Sequence, residues 1–144
     1  MKQQNYQSSI AADFTPSEAF EAINQVNQWW AKNVEGSAEK LNDVFTVHFG
    51  ETFVIFKVAE SIPGKKIAWL VTDCHLPWLN DKKEWNGTKV MFEISPLGNH
   101  TQVTMTHIGL VPEVECFGAC KAGWNQHFNG SLLKLLTENA GVPQ

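Results

Sequence analysis

No apolar run in this sequence approaches the roughly 20 residues that a membrane-spanning helix needs. Basic residues are also few, because 11 Lys and Arg stand against 15 Asp and Glu, and they do not cluster. A nucleic-acid-binding protein needs a concentrated basic surface to contact phosphates. We therefore predict neither a membrane span nor a nucleic-acid partner.

The motifs of nucleotide-binding proteins and of the common hydrolases are missing as well. Residues 63–66 read PGKK, which is a turn and not the phosphate-binding loop GxxxxGK[ST]. The sequence contains no GxSxG, HExxH or GxGxxG. We predict no ATPase activity and no cofactor, and the residues alone leave open whether the protein is an enzyme.

Cysteine is scarce, with three residues in the chain. The N-terminal segment MKQQNYQSS lacks the apolar stretch of a signal peptide, so we expect a cytoplasmic protein with reduced thiols. Cys116 and Cys120 lie four residues apart on a predicted helix, but a zinc site would need further ligands such as Cys74 and His75. We predict two buried thiols without a metal or a disulfide, and their role stays open.

The aromatic residues that are present favour an apolar interior. Six Trp and nine Phe stand against one Tyr, and large rings without hydroxyl groups suit a core or a pocket better than a wet surface. A chain of 144 residues with 43% hydrophobic and 18% charged residues fits one domain with a sizeable core. We predict a single domain over residues 1–144.

The hydrophobic pattern changes period along the chain. Thr15, Pro16 and Glu18 form a capping box that predicts a helix ending near Trp30, followed by a polar link over residues 35–43. Alternation predicts strands, and short turns between them predict an antiparallel sheet. The predicted strands cover residues 5–14, 44–49, 52–58, 67–72, 89–94 and 101–108.

A final amphipathic helix is predicted from about residue 114 to residue 141. One helix that follows a run of strands must lie across the sheet to bury its apolar stripe. The stripe alone favours simple closure of the core. Gly123, Gly130 and Ser131 favour looser packing, because glycine costs about 1 kcal/mol inside a helix and small residues leave room for a ligand. The stripe consists of Phe117, Cys120, Trp124, Phe128, Ser131, Leu132 and Leu135.

These elements together resemble the START-like, helix-grip superfamily, also called SRPBCC. Within it the sequence is most similar to the bacterial proteins related to the activator of the ninety-kilodalton heat-shock protein's ATPase. The resemblance implies an α+β fold in which a curved antiparallel sheet grips a long C-terminal helix around a cavity. It is carried by TPSEAFEAI at 15–23, the Trp29 and Trp30 pair, EWNGTKVMFEISP at 84–96, TQVTMTHIGL at 101–110 and the GW…GSLLKLL helix.

The resemblance also implies a set of cavity residues and an apolar ligand. His107 would be a polar anchor or an acid/base in such a pocket, or a buried histidine paired with backbone. Trp78 and Trp85 flank a long loop that could cover a cavity mouth, but we expect the two residues only to pin it to the sheet. The predicted cavity wall consists of Trp30, Phe56, Trp69, Phe92, Met105, His107, Trp124, Phe128 and Leu132.

Three functions follow as hypotheses. The preferred one is a binding protein for a small hydrophobic molecule. The alternatives are a co-chaperone or other stress-related interaction protein with a chaperone partner, and an enzyme that uses His107 on a hydrophobic substrate. An exposed edge strand could pair two copies, so both a monomer and a homodimer stay open.

Overall fold

The structure is a computed structural model that describes residues 5–144, so residues 1–4 of the predicted domain lie outside the described residues. Over this range seven strands form one curved antiparallel sheet in the order β1-β7-β6-β5-β4-β3-β2. This confirms the predicted α+β helix-grip architecture. The strands are β1 (Tyr6–Ala12), β2 (Asn33–Gly36), β3 (Val44–Phe49), β4 (Thr52–Ile62), β5 (Lys66–His75), β6 (Lys89–Leu97) and β7 (His100–Ile108).

The first helical region begins as predicted but is interrupted. The hydroxyl of Thr15 accepts a hydrogen bond from the Glu18 backbone N–H at 3.0 Å, and the Glu18 carboxylate accepts one from the Thr15 N–H at 2.8 Å. Helix α1 (Pro16–Asn24) then stops at Gln25, whose backbone is not helical, and α2 (Val26–Trp29) follows. Trp29 and Trp30, at the end of α2, are both buried.

One strand was not predicted. Strand β2 overlaps the segment expected to be a polar link, and it pairs with β3 through Val34 opposite Val47. Its sequence, NVEG, has a single apolar side chain, so no alternation can reveal it. Such a pattern is common at a sheet edge, where little of the strand is buried, and β2 is indeed an edge strand.

The C-terminal helix consists of three consecutive parts. These are α3 (Phe117–Trp124), a π-helical segment (Asn125–Leu132) and α4 (Leu133–Glu138). The helix therefore begins three residues after the predicted start near 114. It ends at Asn139, whose left-handed backbone (φ 57°) terminates it, before the predicted stop at Gly141.

The second half of this helix packs directly on the sheet. Phe128 and Leu132 are completely buried, and the Phe128 ring lies 6.1 Å from the ring of Phe92 in β6. After the helix the chain turns back, and the Val142 N–H donates to the Ser131 hydroxyl at 2.7 Å. Ser131 therefore anchors the C-terminal segment. This contact accounts for a small polar residue at position 131, and no ligand is needed to explain it.

We predict that Gly36→Ala destabilises the protein by roughly 2 kcal/mol or more, against roughly 1 kcal/mol for Gly50→Ala. Both glycines have a left-handed backbone, with φ of +87° and +63°. A Cβ atom on Gly36 would overlap the carbonyl oxygen of Val44, whereas nothing lies near one on Gly50. Urea unfolding of both variants measures the difference, and equal losses would contradict the close approach of β2 to β3.

Candidate functional site

A cavity of about 410 Å³ lies between α3 and one end of the sheet. The sheet contributes the end of β3 and the start of β4, and the long loop after β5 closes one side. None of the described residues that line the cavity is Asp, Glu, Lys or Arg. The lining residues are Trp30, Phe49, Thr52, Val54, Leu76, Trp78, Trp85, Ala119, Cys120, Gly123, Trp124, His127 and Gln144.

The structure divides the predicted cavity wall into two groups. Trp30 and Trp124 border the cavity, with their ring centroids 4.7 Å apart. The other predicted residues are packed in the closed core, because alternation identifies the inward face of a strand but not the distance to the element above it. Those core residues are Phe56, Trp69, Phe92, Met105, His107, Phe128 and Leu132, each fully buried.

The cavity therefore lies nearer the start of the helix than the sequence predicts. Gly123 borders it, and nothing lies within 4 Å of the position that a Cβ atom would take there. Of the two helix glycines that the sequence singled out, Gly123 borders the space and Gly130 does not. Phe49 and Val54 carried no comparable signal, because they share the ordinary strand alternation of core residues.

The loop over residues 76–88 is fastened to the start of the helix. The Glu84 carboxylate accepts hydrogen bonds from the backbone N–H groups of Glu115 and Cys116 at 3.0 and 2.9 Å. In return the Glu115 carboxylate accepts one from the Asn80 N–H at 2.9 Å. Glu84 thereby satisfies N–H groups that precede the first helical turn. This docking brings the loop to the cavity.

Two tryptophans of this loop have different roles. Trp85 is 8% exposed and its indole N–H donates to the Sγ atom of Cys116 at 3.3 Å, so it pins the loop as expected. Trp78 is 52% exposed and stands at the rim of the cavity. The prediction that both residues serve only to pin the loop is therefore wrong for Trp78.

Cys116 and Cys120 are paired as a disulfide, which contradicts the prediction of two reduced thiols. Their Cα atoms are 5.6 Å apart, within the roughly 4.4–6.8 Å that a disulfide requires. The sequence argument placed both residues inside a regular helix. In the structure Cys116 is the residue before α3, and Cys120 lies one turn later. Cys74 is a free, buried thiol.

His107 belongs to a closed hydrogen-bond chain. The Trp124 indole N–H donates to His107 Nδ1 at 3.1 Å. Nδ1 is therefore unprotonated, and Nε2 carries the proton that it donates to the Thr88 hydroxyl at 2.9 Å. Thr88 in turn donates to the carbonyl oxygen of Trp85 at 2.7 Å. Every polar atom of the imidazole is used within the protein.

This chain gives His107 a structural role. Burial lowers the pKa of the imidazole from 6.5 to about 3, so the ring is neutral near pH 7. It neither borders the cavity nor has a nitrogen available to a substrate. The geometry therefore argues against His107 as a catalytic acid or base. The hydrogen-bond partners of His107 are side chains, whereas a backbone partner was expected.

His127 is the buried polar group at the cavity, and it was not predicted. The residue is 8% exposed, and its ring stacks near Phe49 with centroids 6.3 Å apart. Burial lowers the pKa of this imidazole, so it too is held towards its neutral form. Its Nδ1 atom is buried without a hydrogen-bond partner among the described residues.

Two kinds of feature are absent from residues 5–144. Within this range no group of three or more His, Cys, Asp or Glu side chains is arranged to hold a metal ion. Likewise, no helix in the described part of the chain has the length and apolar character to cross a membrane.

Comparison with known proteins gives a family and a fold. Residues 13–137 match the family model described as "Activator of Hsp90 ATPase homolog 1-like protein". No protein of curated function matches the sequence. Among solved structures, the Aha1 dimer from Colwellia psychrerythraea is similar with a TM-score of 0.74 and 20% identity, over 92% of this chain and 95% of that chain.

Two further structures have the same fold. Protein MLL2253 from Mesorhizobium loti has a TM-score of 0.70 and 16% identity, over 95% of this chain and 100% of that chain. Protein SSP2350 from Staphylococcus saprophyticus has a TM-score of 0.72 and 14% identity, over 96% of each chain. At these identities the likeness bears on the fold alone.

Proposed function

The chain belongs to the family described as Activator of Hsp90 ATPase homolog 1-like protein, and on this premise we propose that it binds a small apolar molecule in the cavity beneath α3. The cavity volume of about 410 Å³ falls within the roughly 300–1,000 Å³ typical of small-molecule sites. Its walls are mainly aromatic and aliphatic, with a few polar groups, as such sites usually are.

The observation that carries this proposal is the contrast between the two halves of the C-terminal helix. Phe128 and Leu132 fill the space above the sheet, whereas Gly123 borders the cavity. Gly130, in the second half, also has open space at its Cβ position but does not border the cavity. A larger residue would fit at position 123 and would favour the helix by up to about 1 kcal/mol. The glycine therefore leaves a space at some cost to helix stability, and a ligand in that space would account for this cost.

The proposal predicts that Gly123→Leu weakens binding of the uncharged fluorescent probe N-phenyl-1-naphthylamine by about tenfold or more. The leucine side chain would take up part of the cavity, because Gly123 borders it and no atom lies near the Cβ position. Fluorescence titration of the native protein and the variant gives both dissociation constants.

Gly118→Leu is the matched control. Gly118 also lies in α3 with open space around it, but it is exposed and does not border the cavity. The Gly118→Leu variant should bind the probe as tightly as the native protein does. Unchanged affinity in Gly123→Leu, or no probe binding by the native protein, would contradict the proposal.

The family description also supports a second proposal, a co-chaperone role with the ninety-kilodalton chaperone as partner. Family membership alone supports the co-chaperone role. The cavity supports ligand binding in addition, so we prefer ligand binding. The Colwellia psychrerythraea protein is a dimer. We also propose that this chain can form a homodimer through β1 or β2, the edge strands of its sheet.

A further inference from the structure

We infer that the ligand is an uncharged aromatic compound bearing a hydroxyl group, and that His127 recognises this hydroxyl. The inference rests on the proposed function and adds the chemical class of the ligand and the residue that sets specificity.

The shape of the walls favours a flat aromatic body. The rings of Trp85 and Trp124 are nearly parallel, with an interplanar angle of 12° and centroids 6.0 Å apart, and both border the cavity. Trp30 adds a third indole 4.7 Å from Trp124. Aromatic faces and edges at such separations stabilise further rings in stacked or edge-on contact.

The charge of the walls excludes an ionised ligand group inside the cavity. The lining residues include no charged side chain among the described residues. A buried carboxylate or phosphate would lose its hydration without gaining an ion partner, which costs several kcal/mol. Burial also lowers the pKa of the His127 ring, which disfavours a positive charge on it.

The polar requirement comes from His127. It is more than nine-tenths buried and it borders the cavity. Its Nδ1 is closed off within the protein without a partner among the described residues, which leaves Nε2 as the ring nitrogen that a ligand in the cavity can reach. A neutral imidazole offers one donor and one acceptor, and a hydroxyl can serve as either. A ligand hydroxyl therefore matches Nε2 in either tautomer of the ring. Thr52 is half-buried and Gln144 is exposed, so water can pair with these two polar lining residues.

The test compares two probes of similar shape in two proteins. The probes are 2-naphthol and 2-methylnaphthalene, which has a methyl group in place of the hydroxyl. The ratio of their dissociation constants is measured by displacement of N-phenyl-1-naphthylamine from the native protein and from His127→Leu. We expect the preference for 2-naphthol over 2-methylnaphthalene to be about tenfold smaller in the variant, since a lost hydrogen bond is worth about that factor.

Two further variants separate recognition from structure. His127→Gln keeps a polar group and should restore part of the preference, and Thr52→Val should leave it unchanged. If both probes bind the native protein and His127→Leu keeps the native ratio, the inference is wrong while the proposed function stands. If neither probe binds the native protein, the proposed function and the inference both fail.

Discussion

Replacing Phe128 by alanine is expected to lower the free energy of unfolding by about 3–5 kcal/mol. Phe128 is completely buried and contacts Phe92 across the boundary between helix and sheet. Its removal would leave a hole that the two packed elements could not close. Urea unfolding monitored by circular dichroism gives the loss of stability.

Phe117→Ala is the matched control, because Phe117 lies in the same helix but is only partly buried. We expect a loss of about 1 kcal/mol there. A similarly small loss in Phe128→Ala would mean that Phe128 borders an unfilled space. The cavity would then extend under the whole helix, and the contrast that supports ligand binding at Gly123 would disappear.

Acid is expected to destabilise the protein through His107, by about 1.4 kcal/mol per pH unit between pH 6.5 and pH 3. The pKa of this imidazole is lowered from 6.5 to about 3 by burial, so in this window the unfolded chain takes up a proton that the folded protein refuses. Above pH 6.5 this effect does not reduce the free energy of unfolding, and stability is lost progressively as the pH falls towards 3. Urea unfolding at a series of pH values measures the slope.

His107→Gln should reduce this slope, although it also lowers stability at pH 7 by disturbing the hydrogen bonds to Trp124 and Thr88. The slope, and not the stability at one pH, is therefore the informative quantity. Burial lowers the pKa of His127 as well, so part of the acid sensitivity persists. His100→Gln, at an exposed position, is the control. Parallel curves for native protein and His107→Gln would contradict the buried, neutral state of His107.

Local chemistry made much of the fold predictable. The capping box of Thr15 and Glu18 acts between neighbouring residues, and it forms as expected. Strand β3 occupies the predicted residues 44–49, because alternation reports directly which side chains face the core. Strand β2 was missed because only one of its four side chains is apolar, and the helix break at Gln25 was not foreseen because no proline or glycine marks it.

The candidate site was predictable to a smaller extent. Gly123 indicated a space because its residue type conflicts with helical preference, and the structure places it at the cavity. The loop residues arrive there because Glu84 contacts the start of the helix, about thirty positions along the chain. No local pattern encodes that contact. The sequence indicated His107 as the polar residue of the cavity, whereas His127 borders it in the structure. No local pattern distinguishes the two positions.

The sequence by itself determined the architecture, an antiparallel sheet with one long helix across it, because periodicity and capping are local properties. It also determined the apolar, uncharged character of the interior. Only the tertiary structure decided where the interior is filled and where it is open. Phe128 meets the sheet and Gly123 does not, and that difference depends on distances between elements which only the packing of the whole chain establishes.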